Sequence, residues 1–471
     1  MSDIILAAMP YMSLNWPSLA LGQLTAAARQ SGLDLENMYT IFDFAADIGS
    51  QMYHILANVV GAEQLLSEWM FARSAYEDFG LSDKHAHYLT EYQQTPLMIQ
   101  YFDKCIAPEY GRDLSVFIEE CQNVQQKAEQ FIQRTAEKIV AKHVKIVGCG
   151  TSWMQYTPAI ALLRRIKQID PAIVTMLGGI NCEGEAGYFT QKKFPWVDFV
   201  VSGEADHLFP QLCRQILTDG FDIPVETVPY GVYCRQKAPV NGHRHLSRQD
   251  IEPLAEIAIE PNLEEIPVPD YTDYFTALHQ AGLRRWIFPH LVMETSRGCW
   301  KGQKQPCTFC GLNGKRMNYR TKSVARVLAE LEMLSTRYGI TDFLTSDTVL
   351  NMKFFDTLFQ ELIKQGKHYR FMFETVSLLK EHHVKTMAAA GVRIIQPGIE
   401  SLHDELLQLL HKGNSAIHGI ALLKYCLEQG VQVKWNLLFD IPGDEDRHYH
   451  EMAEFLPVLY HFIPPKFAHI R

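Results

Sequence analysis

Three cysteines, Cys299, Cys307 and Cys310, stand in a C-x7-C-x2-C array on one polar, glycine-rich stretch, residues 293–316. Three thiolates on a single loop can hold a metal, and what is missing around them narrows the choice. Structural zinc takes four ligands, most often as two paired knuckles. There is no second C-x2-C, and Cys105, Cys121, Cys149, Cys182, Cys213, Cys234 and Cys426 are scattered singly through apolar segments. A 4Fe-4S cluster is held by cysteine thiolates, and three suffice when one iron stays open to a ligand. Inert structural cysteines prefer apolar surroundings, which this stretch does not offer. The cluster is the favoured reading, with a zinc staple and inert thiols as the alternatives.

The elements that must position these thiols can be read around them. An apolar run, Trp286 to Met293, enters the array, and a turn rich in Gly, Lys and Arg leaves it before Val324, Leu328, Leu331 and Leu334 mark a helix. The array is therefore a loop after a strand. Strand-plus-helix units then repeat, with strands at Ile340–Thr345, Phe371–Thr375, Val392–Ile399, Val431–Phe439 and Lys466–Arg471. With the strand before the loop these make six. Parallel β/α units that curve into a barrel put reactive groups at the strand carboxyl ends. Asp347, Glu374, Glu400, Ser401 and the run Asp440 to Asp444 fall there. Each carboxylate alone could equally be a helix cap or a surface charge.

The run Thr295-Ser296-Arg297-Gly298-Cys299-Trp300 with Cys307-Thr308-Phe309-Cys310-Gly311-Leu312 resembles the cluster loop of radical S-adenosylmethionine enzymes. More narrowly it is similar to the cobalamin-binding members that mature ribosomally made peptides, in which the first gap is longer than the common C-x3-C. Gln396 to Ser401 and Phe439 to Asp444 resemble two later family motifs that line the S-adenosylmethionine pocket, which implies Glu400, Ser401, Pro442 and Gly443 as cofactor contacts. Arg320, just past the loop, is expected to meet the nucleoside or the carboxylate, with Asp347 and Glu374 on the same rim.

The first two hundred residues read differently. Strand Ile4–Met9, a loop and an apolar helical pattern ending at Gly32 open the chain, and residues 33–44 give a second strand. Residues 50–140 read as a helical insertion, with Trp69, Phe71 and Tyr76 as core. Strands at Val144–Cys149, Ile173–Leu177 and Val197–Val201 then alternate with helices, which implies a parallel sheet wound on both faces. In such sheets ligands sit beyond the strand carboxyl ends. Ser13, Thr151-Ser152, Gly178-Gly179 and Gly203-Glu204 all fall there. The glycine spacing is neither a dinucleotide fingerprint nor a Walker loop, and turn glycines with no ligand are the plain alternative. The turns resemble the cobalamin-binding domain of the same subgroup, which implies a nucleotide tail along these loops. D-x-H-x-x-G is absent, so no axial histidine is expected from this chain.

The expected organisation is a Rossmann-like cobalamin-binding α/β domain over residues 1–220, a proline-rich linker over 221–285, and a partial (β/α)6 barrel over 286–471 that ends at its sixth strand. Pro267 to Tyr271 resembles the lead-in to the barrel, and family members continue past the sixth strand to help bind the peptide. His243 and His245 in the linker read as a solvated loop rather than a metal pair. At 471 residues, 47% hydrophobic and 21% charged, the chain is long enough for two or three cores and is not a disordered composition. A net charge of −10 argues against general nucleic-acid binding. There is no basic leader and no apolar run of about 18 residues, so a cytoplasmic protein with no membrane partner is expected.

The resemblance implies a 4Fe-4S cluster, S-adenosylmethionine and cobalamin as cofactors, a flavodoxin or ferredoxin as electron donor, and a precursor peptide as substrate. The implied reaction is C-methylation of an unactivated carbon through a 5'-deoxyadenosyl radical. Cyclisation or rearrangement without methyl transfer is the rival within enzymes, and a zinc-stapled peptide-binding module the rival outside them. Productive chemistry would need the two strand-end edges to face one another, with Trp300, Tyr11 and Trp16 either walling the gap or serving as ordinary core.

Overall fold

The computed structural model describes residues 2–61, 64–76, 88–89, 94–152, 154–235, 255–312 and 317–469. The chain divides into two compact units, the first Met1–Glu260 with Ile266–Phe288, the second Pro261–Glu265 with Pro289–Arg471.

The first unit is built on β1 (Ile4–Ala8), β2 (Leu35–Tyr39), β3 (Ile146–Gly150), β4 (Val174–Gly178), β5 (Phe199–Val201) and β6 (Val232–Cys234), in the order β2-β1-β3-β4-β5-β6. All neighbours run parallel except β5 and β6. β1 and β3 are buried almost throughout, as strands covered on both faces must be. The order reverses between β1 and β3, and in doubly wound sheets that switch point opens the ligand crevice. The second strand ends at Tyr39, short of residue 44, because the Thr40 hydroxyl donates to Ala8 O at 2.8 Å and the chain turns there into α1, Ile41–Ile48.

Between β2 and β3 the described residues are largely helical, ending in the long α2 (Leu114–Val140). They supply much of the core. Phe71 is fully buried, and Phe44 lies 4.9 Å from Phe131 between ring centroids. Tyr11 belongs to this aromatic cluster, 4% exposed and 5.7 Å from Phe44, so it is core and not the wall of a site. Trp16 is half-buried in the loop after β1.

The stretch read as linker belongs largely to the first unit. β6 completes the sheet, and Ala258 bridges Gly203 in parallel. The helix Thr272–Gln280 packs on β2, where Asp273 accepts from Asn37 N at 2.9 Å. Pro267 to Tyr271 is likewise tied down in the first unit: Asp270 pairs with Arg29 at 2.5 Å and Tyr271 is fully buried against Gly22. His243 and His245 lie outside the described residues.

The second unit is the open barrel. β7 (Leu291–Met293), β8 (Ser296–Arg297), β9 (Arg320–Thr321), β10 (Asp342–Thr345), β11 (Arg370–Val376), β12 (Val392–Gly398), β13 (Gln432–Val433), β14 (Asn436–Phe439) and β15 (Lys466–His469) are its strands. The main sheet runs β13-β12-β11-β10-β7, all parallel, and β14 pairs with β15 in parallel. A parallel bridge from Glu400 to Leu437 connects the two sheets. The long run at residues 431–439 is thus two short strands, one on each sheet, and β15 is the sixth strand position. Helices Val324–Tyr338, Leu358–Gln365, Glu381–Ala389 and Ala416–Gln429 lie between successive strands. No helix among the described residues is long and apolar enough to cross a membrane.

Candidate active site

The cysteine loop leaves the carboxyl end of β7 and is closed at its base by a two-residue antiparallel ribbon, Ser296 opposite Thr321 and Arg297 opposite Arg320. Gly298 has φ +83, and a Cβ there would meet Asn318 O at 2.2 Å, so only glycine lets the outgoing and returning chains approach so closely. Cys299 N then donates to Met317 O at 3.2 Å. Behind the ribbon lies a buried ion network. Lys322, 1% exposed, donates to Glu330, also 1% exposed, at 2.9 Å, and Glu294 receives both arms of Arg297 at 2.8 Å. Sequence reading missed these residues. The i, i+3 and i, i+4 spacings of Glu294–Arg297 and Arg326–Glu330 were visible, but burial was not.

The loop is fastened at three further points. Trp300 Nε1 donates to Leu350 O at 3.1 Å, Thr308 N to Leu410 O at 3.2 Å, and Lys301 Nζ to His411 O at 2.9 Å. These set the thiols between the segments that follow β10 and β12. All three are free and half-buried. Cys299 Sγ accepts from Gly302 N at 3.2 Å, and Lys301 Nζ stands 3.5 Å from Cys307 Sγ. Burial raises the Cys310 thiol, as do the neighbouring Cys307 and Cys299, while Lys412 lowers it. Among the described residues no His, Cys, Asp or Glu side chains gather in threes as ligands of a single metal ion. A three-thiol set with two lysines close by suits an anionic cluster whose thiolates bind different irons. Residues 313–316 of the loop lie outside the described ones.

The strand-end carboxylates divide into different roles. Asp347 is fully buried and accepts from Thr295 N at 2.7 Å, from Ser296 N at 3.0 Å and from the Thr295 hydroxyl. It braces the entry to the cysteine loop, and burial pushes its carboxyl up to about 6. Two backbone N–H groups and one hydroxyl thus give Asp347 a structural part at the loop entry. Glu374, on β11, carries no hydrogen bond on its carboxylate among the described residues. Burial, with the charges of Asp347 and Glu400, pushes it up to about 7.

Glu400 follows β12 in a left-handed conformation, φ +64, which turns its side chain toward Lys412. Lys412 Nζ donates to Glu400 Oε1 at 3.1 Å and lies 5.4 Å from the centroid of Phe309 in the cysteine loop. Lys412 was not legible as a site residue: it stands twelve positions beyond Glu400, past an intervening helix. Ser401 is buried, its hydroxyl accepting from His403 N at 3.1 Å, so it turns the chain. Pro442 is exposed and Gly443 has φ +92 in a turn closed by Asp444, which accepts from Ile441 N at 2.9 Å. Arg320 sits in the basal ribbon with its Nε donating to Asn318 O at 3.3 Å, and no described contact joins it to Glu374, Glu400 or Lys412.

In the first unit the strand-end turns are also partly spoken for. Thr151 donates through N and Oγ1 to Gly178 O at 2.7 and 2.8 Å. Gly179 has φ +100, and a Cβ there would meet Thr151 O at 2.3 Å, so this glycine serves the contact between two loops. Ser152 bonds Gln155, which reaches Met9 O at 2.7 Å and ties the β3 loop to the end of β1. The Ser13 hydroxyl accepts from Asn15 N at 3.2 Å within its own loop. Gly203 and Glu204 are covered by the returning chain: Glu204 N donates to Ala258 O at 2.9 Å and its carboxylate accepts from Glu260 N at 2.8 Å. These contacts make Gly203 and Glu204 a structural clasp. Gly150, at the switch point beside β1, has nothing within 4 Å of where a Cβ would stand.

Among known proteins, the chain is 25% identical to an uncharacterized methyltransferase of Pyrococcus horikoshii over 65% of this chain and 64% of that one. It is 27% identical to an anaerobic magnesium-protoporphyrin IX monomethyl ester cyclase of Rubrivivax gelatinosus, over 63% of this chain and 51% of the relative. The chain thus spans less than two thirds of these relatives' length. Its fold is similar to that of the cobalamin-dependent S-adenosylmethionine radical enzyme OxsB, solved with aqua-cobalamin and S-adenosylmethionine, with TM-score 0.62 and 14% identity over 98% of this chain and 52% of that one. It is also similar to the radical S-adenosylmethionine methyltransferase TsrM of Kitasatospora setae, solved with cobalamin and a [4Fe-4S] cluster, with TM-score 0.57 and 16% identity over all of this chain and 75% of that one. Residues 293–456, which hold the thiol loop, the strand-end carboxylates and Lys412, match the Radical SAM superfamily, and the chain carries a radical SAM domain there.

Proposed function

We propose that the chain is a cobalamin-dependent radical S-adenosylmethionine enzyme that modifies a ribosomally synthesised peptide by C-methylation of an unactivated carbon. One observation carries the S-adenosylmethionine part of this reading. On the strand-end rim of the second unit, three free thiols share a loop with Phe309, over whose ring Lys412 stands, Lys412 pairs with Glu400, and Glu374 offers a carboxylate with no hydrogen bond among the described residues. A bound amino acid needs one anion for its amine and one cation for its carboxylate.

Glu374 would take the methionyl ammonium of S-adenosylmethionine and Lys412 its carboxylate, while Glu400, relieved of Lys412, accepts from hydroxyls of the nucleoside. Cys299, Cys307 and Cys310 would hold the cluster, and the Trp300 and Phe309 rings exclude water from it. In the first unit the space over Gly150 would admit a corrinoid. When bound, these groups supply the electron, the carbon radical and the methyl group, while the protein's part is binding, orientation and exclusion of water. A flavodoxin or ferredoxin is the proposed reductant.

The methyltransferase name of the Pyrococcus horikoshii relative supports methyl transfer. Ring closure without methyl transfer is the second reading, favoured by the relatives named as cyclases. Anaerobic purification and reconstitution tests the proposal. Iron and acid-labile sulfide in equal amounts, lost when the three cysteines become Ala, together with corrinoid uptake, are expected. Stoichiometric zinc without sulfide would defeat it. With cofactors loaded and candidate peptides supplied, S-adenosylhomocysteine and a methylated peptide support methylation, whereas 5'-deoxyadenosine without either supports cyclisation.

A further inference from the structure

The turn that carries Lys412 is held from several sides of the second unit's rim. His411 O accepts from Lys301 Nζ of the cysteine loop at 2.9 Å, Lys412 Nζ donates to Glu400 at 3.1 Å, and Ala416 N donates to Asp404 Oδ1 at 2.7 Å. Asn414 adds a link in another direction. Its Nδ2 donates to Ser377 Oγ at 2.5 Å, and Ser377, itself buried, stands just past β11, three positions beyond Glu374.

This side-chain pair joins the segment of Glu374 to the segment of Lys412. Backbone pairing between β11 and β12 ends at Val376 and Gly398, so past that point side chains must hold the two rim loops together. At about 3.3–3.6 Å per residue, Ser377 lies no more than about 11 Å from Glu374 along the chain, and Asn414 no more than about 7 Å from Lys412. Gly413, with φ +66, makes the turn between Lys412 and Asn414. The other end of the Asn414 amide is unmet: Oδ1 is buried with no hydrogen-bond partner among the described residues. Burying an acceptor in that state costs about 1–3 kcal/mol. The amide therefore stands there for what its Nδ2 reaches, the Ser377 hydroxyl.

An α-amino acid carries its ammonium and its carboxylate on one carbon. A site that grips both must keep its own anion and cation at a matching separation. We propose that Asn414 and Ser377 are positioning residues that set the separation of Glu374 and Lys412, and so select a ligand with an α-amino acid head. The inference rests on the assignment of those two charges to the methionyl group of S-adenosylmethionine.

The test uses the full chain with its iron restored, in equilibrium dialysis against three probes. These are S-adenosylmethionine, its decarboxylated form, which keeps only the ammonium of the head, and 5'-methylthioadenosine, which lacks the head. Asn414→Ala is expected to weaken S-adenosylmethionine about five- to tenfold, the scale of one hydrogen bond, and to move the other two by less than about twofold, because a single charge needs no spacing. Ser377→Ala should do the same, and the double variant no more than either alone, as the two halves of one bond must. Unchanged affinity for S-adenosylmethionine in both single variants overturns the inference. Equal weakening of all three probes also overturns it, since the pair then serves the fold of the rim. A decarboxylated probe that loses as much as S-adenosylmethionine places Asn414 with the ammonium alone and overturns the spacing. Losses that add in the double variant show two residues acting apart, and overturn the link. If Glu374→Gln and Lys412→Met both leave S-adenosylmethionine affinity unchanged, the assignment of the two charges falls instead, and the inference with it.

Discussion

Lys412 and Glu400 form an ion pair at 3.1 Å in which neither side chain is more than 14% exposed, twelve residues apart in sequence and beside the cysteine loop. A cation held that close to Cys310 is poised to exchange a protein carboxylate for a ligand carboxylate. Lys412→Met should leave the cluster cysteines and iron content intact but weaken S-adenosylmethionine binding by about 30-fold or more, the scale of a truncated buried charge pair. Equilibrium dialysis with reconstituted protein measures it. Unchanged affinity would remove Lys412 from the site.

Glu374 gives a pH dependence with a definite sign. Its folded-state carboxyl lies at about 7, above the roughly 4.3 of an unfolded glutamate. The folded protein therefore holds this proton more tightly. The stabilisation is fully present below about pH 4 and is lost as pH rises through about 7, on the order of 3 kcal/mol in all. Asp347, at about 6, acts in the same direction at lower pH. Denaturant melts between about pH 5 and 8 should show cofactor-free protein losing stability, and Glu374→Gln should flatten the upper part of that loss. Affinity for S-adenosylmethionine should move oppositely, rising through about pH 7 as the carboxylate ionises, and be flat in the Gln variant.

Asp347 braces Thr295 and Ser296. Asp347→Ala strands two buried N–H groups, which costs about 2–4 kcal/mol, and should lower both the melting temperature and the iron retained. Asp347→Asn keeps one acceptor and should fall between the two. If Asp347→Ala melts like the parent protein yet binds S-adenosylmethionine poorly, Asp347 is a ligand contact after all.

Two glycines at neighbouring strand ends should behave oppositely. Gly179→Leu forces a Cβ to within 2.3 Å of Thr151 O at φ +100 and should disrupt the first unit, visible as lost cooperativity in melting. At Gly150 a Cβ meets no atom within 4 Å and φ is not in the left-handed region, so Gly150→Leu should fold normally while blocking corrinoid uptake. Corrinoid binding by a well-folded Gly150→Leu would show that the switch-point space is not used.

By itself the sequence determined the alternation of strands and helices, because buried parallel strands are short continuous apolar runs and amphipathic helices repeat every three to four residues. Ile4–Ala8, Val392–Gly398 and the helix after Cys310 were legible for that reason. The thiol triad was legible because its ligands lie on one loop. Only the tertiary structure decided which polar strand-end residues are open. Asp347, Thr151, Gly179, Gly203 and Glu204 look alike in sequence, each a small or acidic residue after a strand. Yet backbone groups from 27 or more residues away occupy all five. Lys412 could enter the site only because the chain folds back past an intervening helix to Glu400. Proline-rich residues 255–280 looked like a linker because they lack periodicity, whereas their order comes from bonds to β2, β5 and Arg29 that no local pattern encodes.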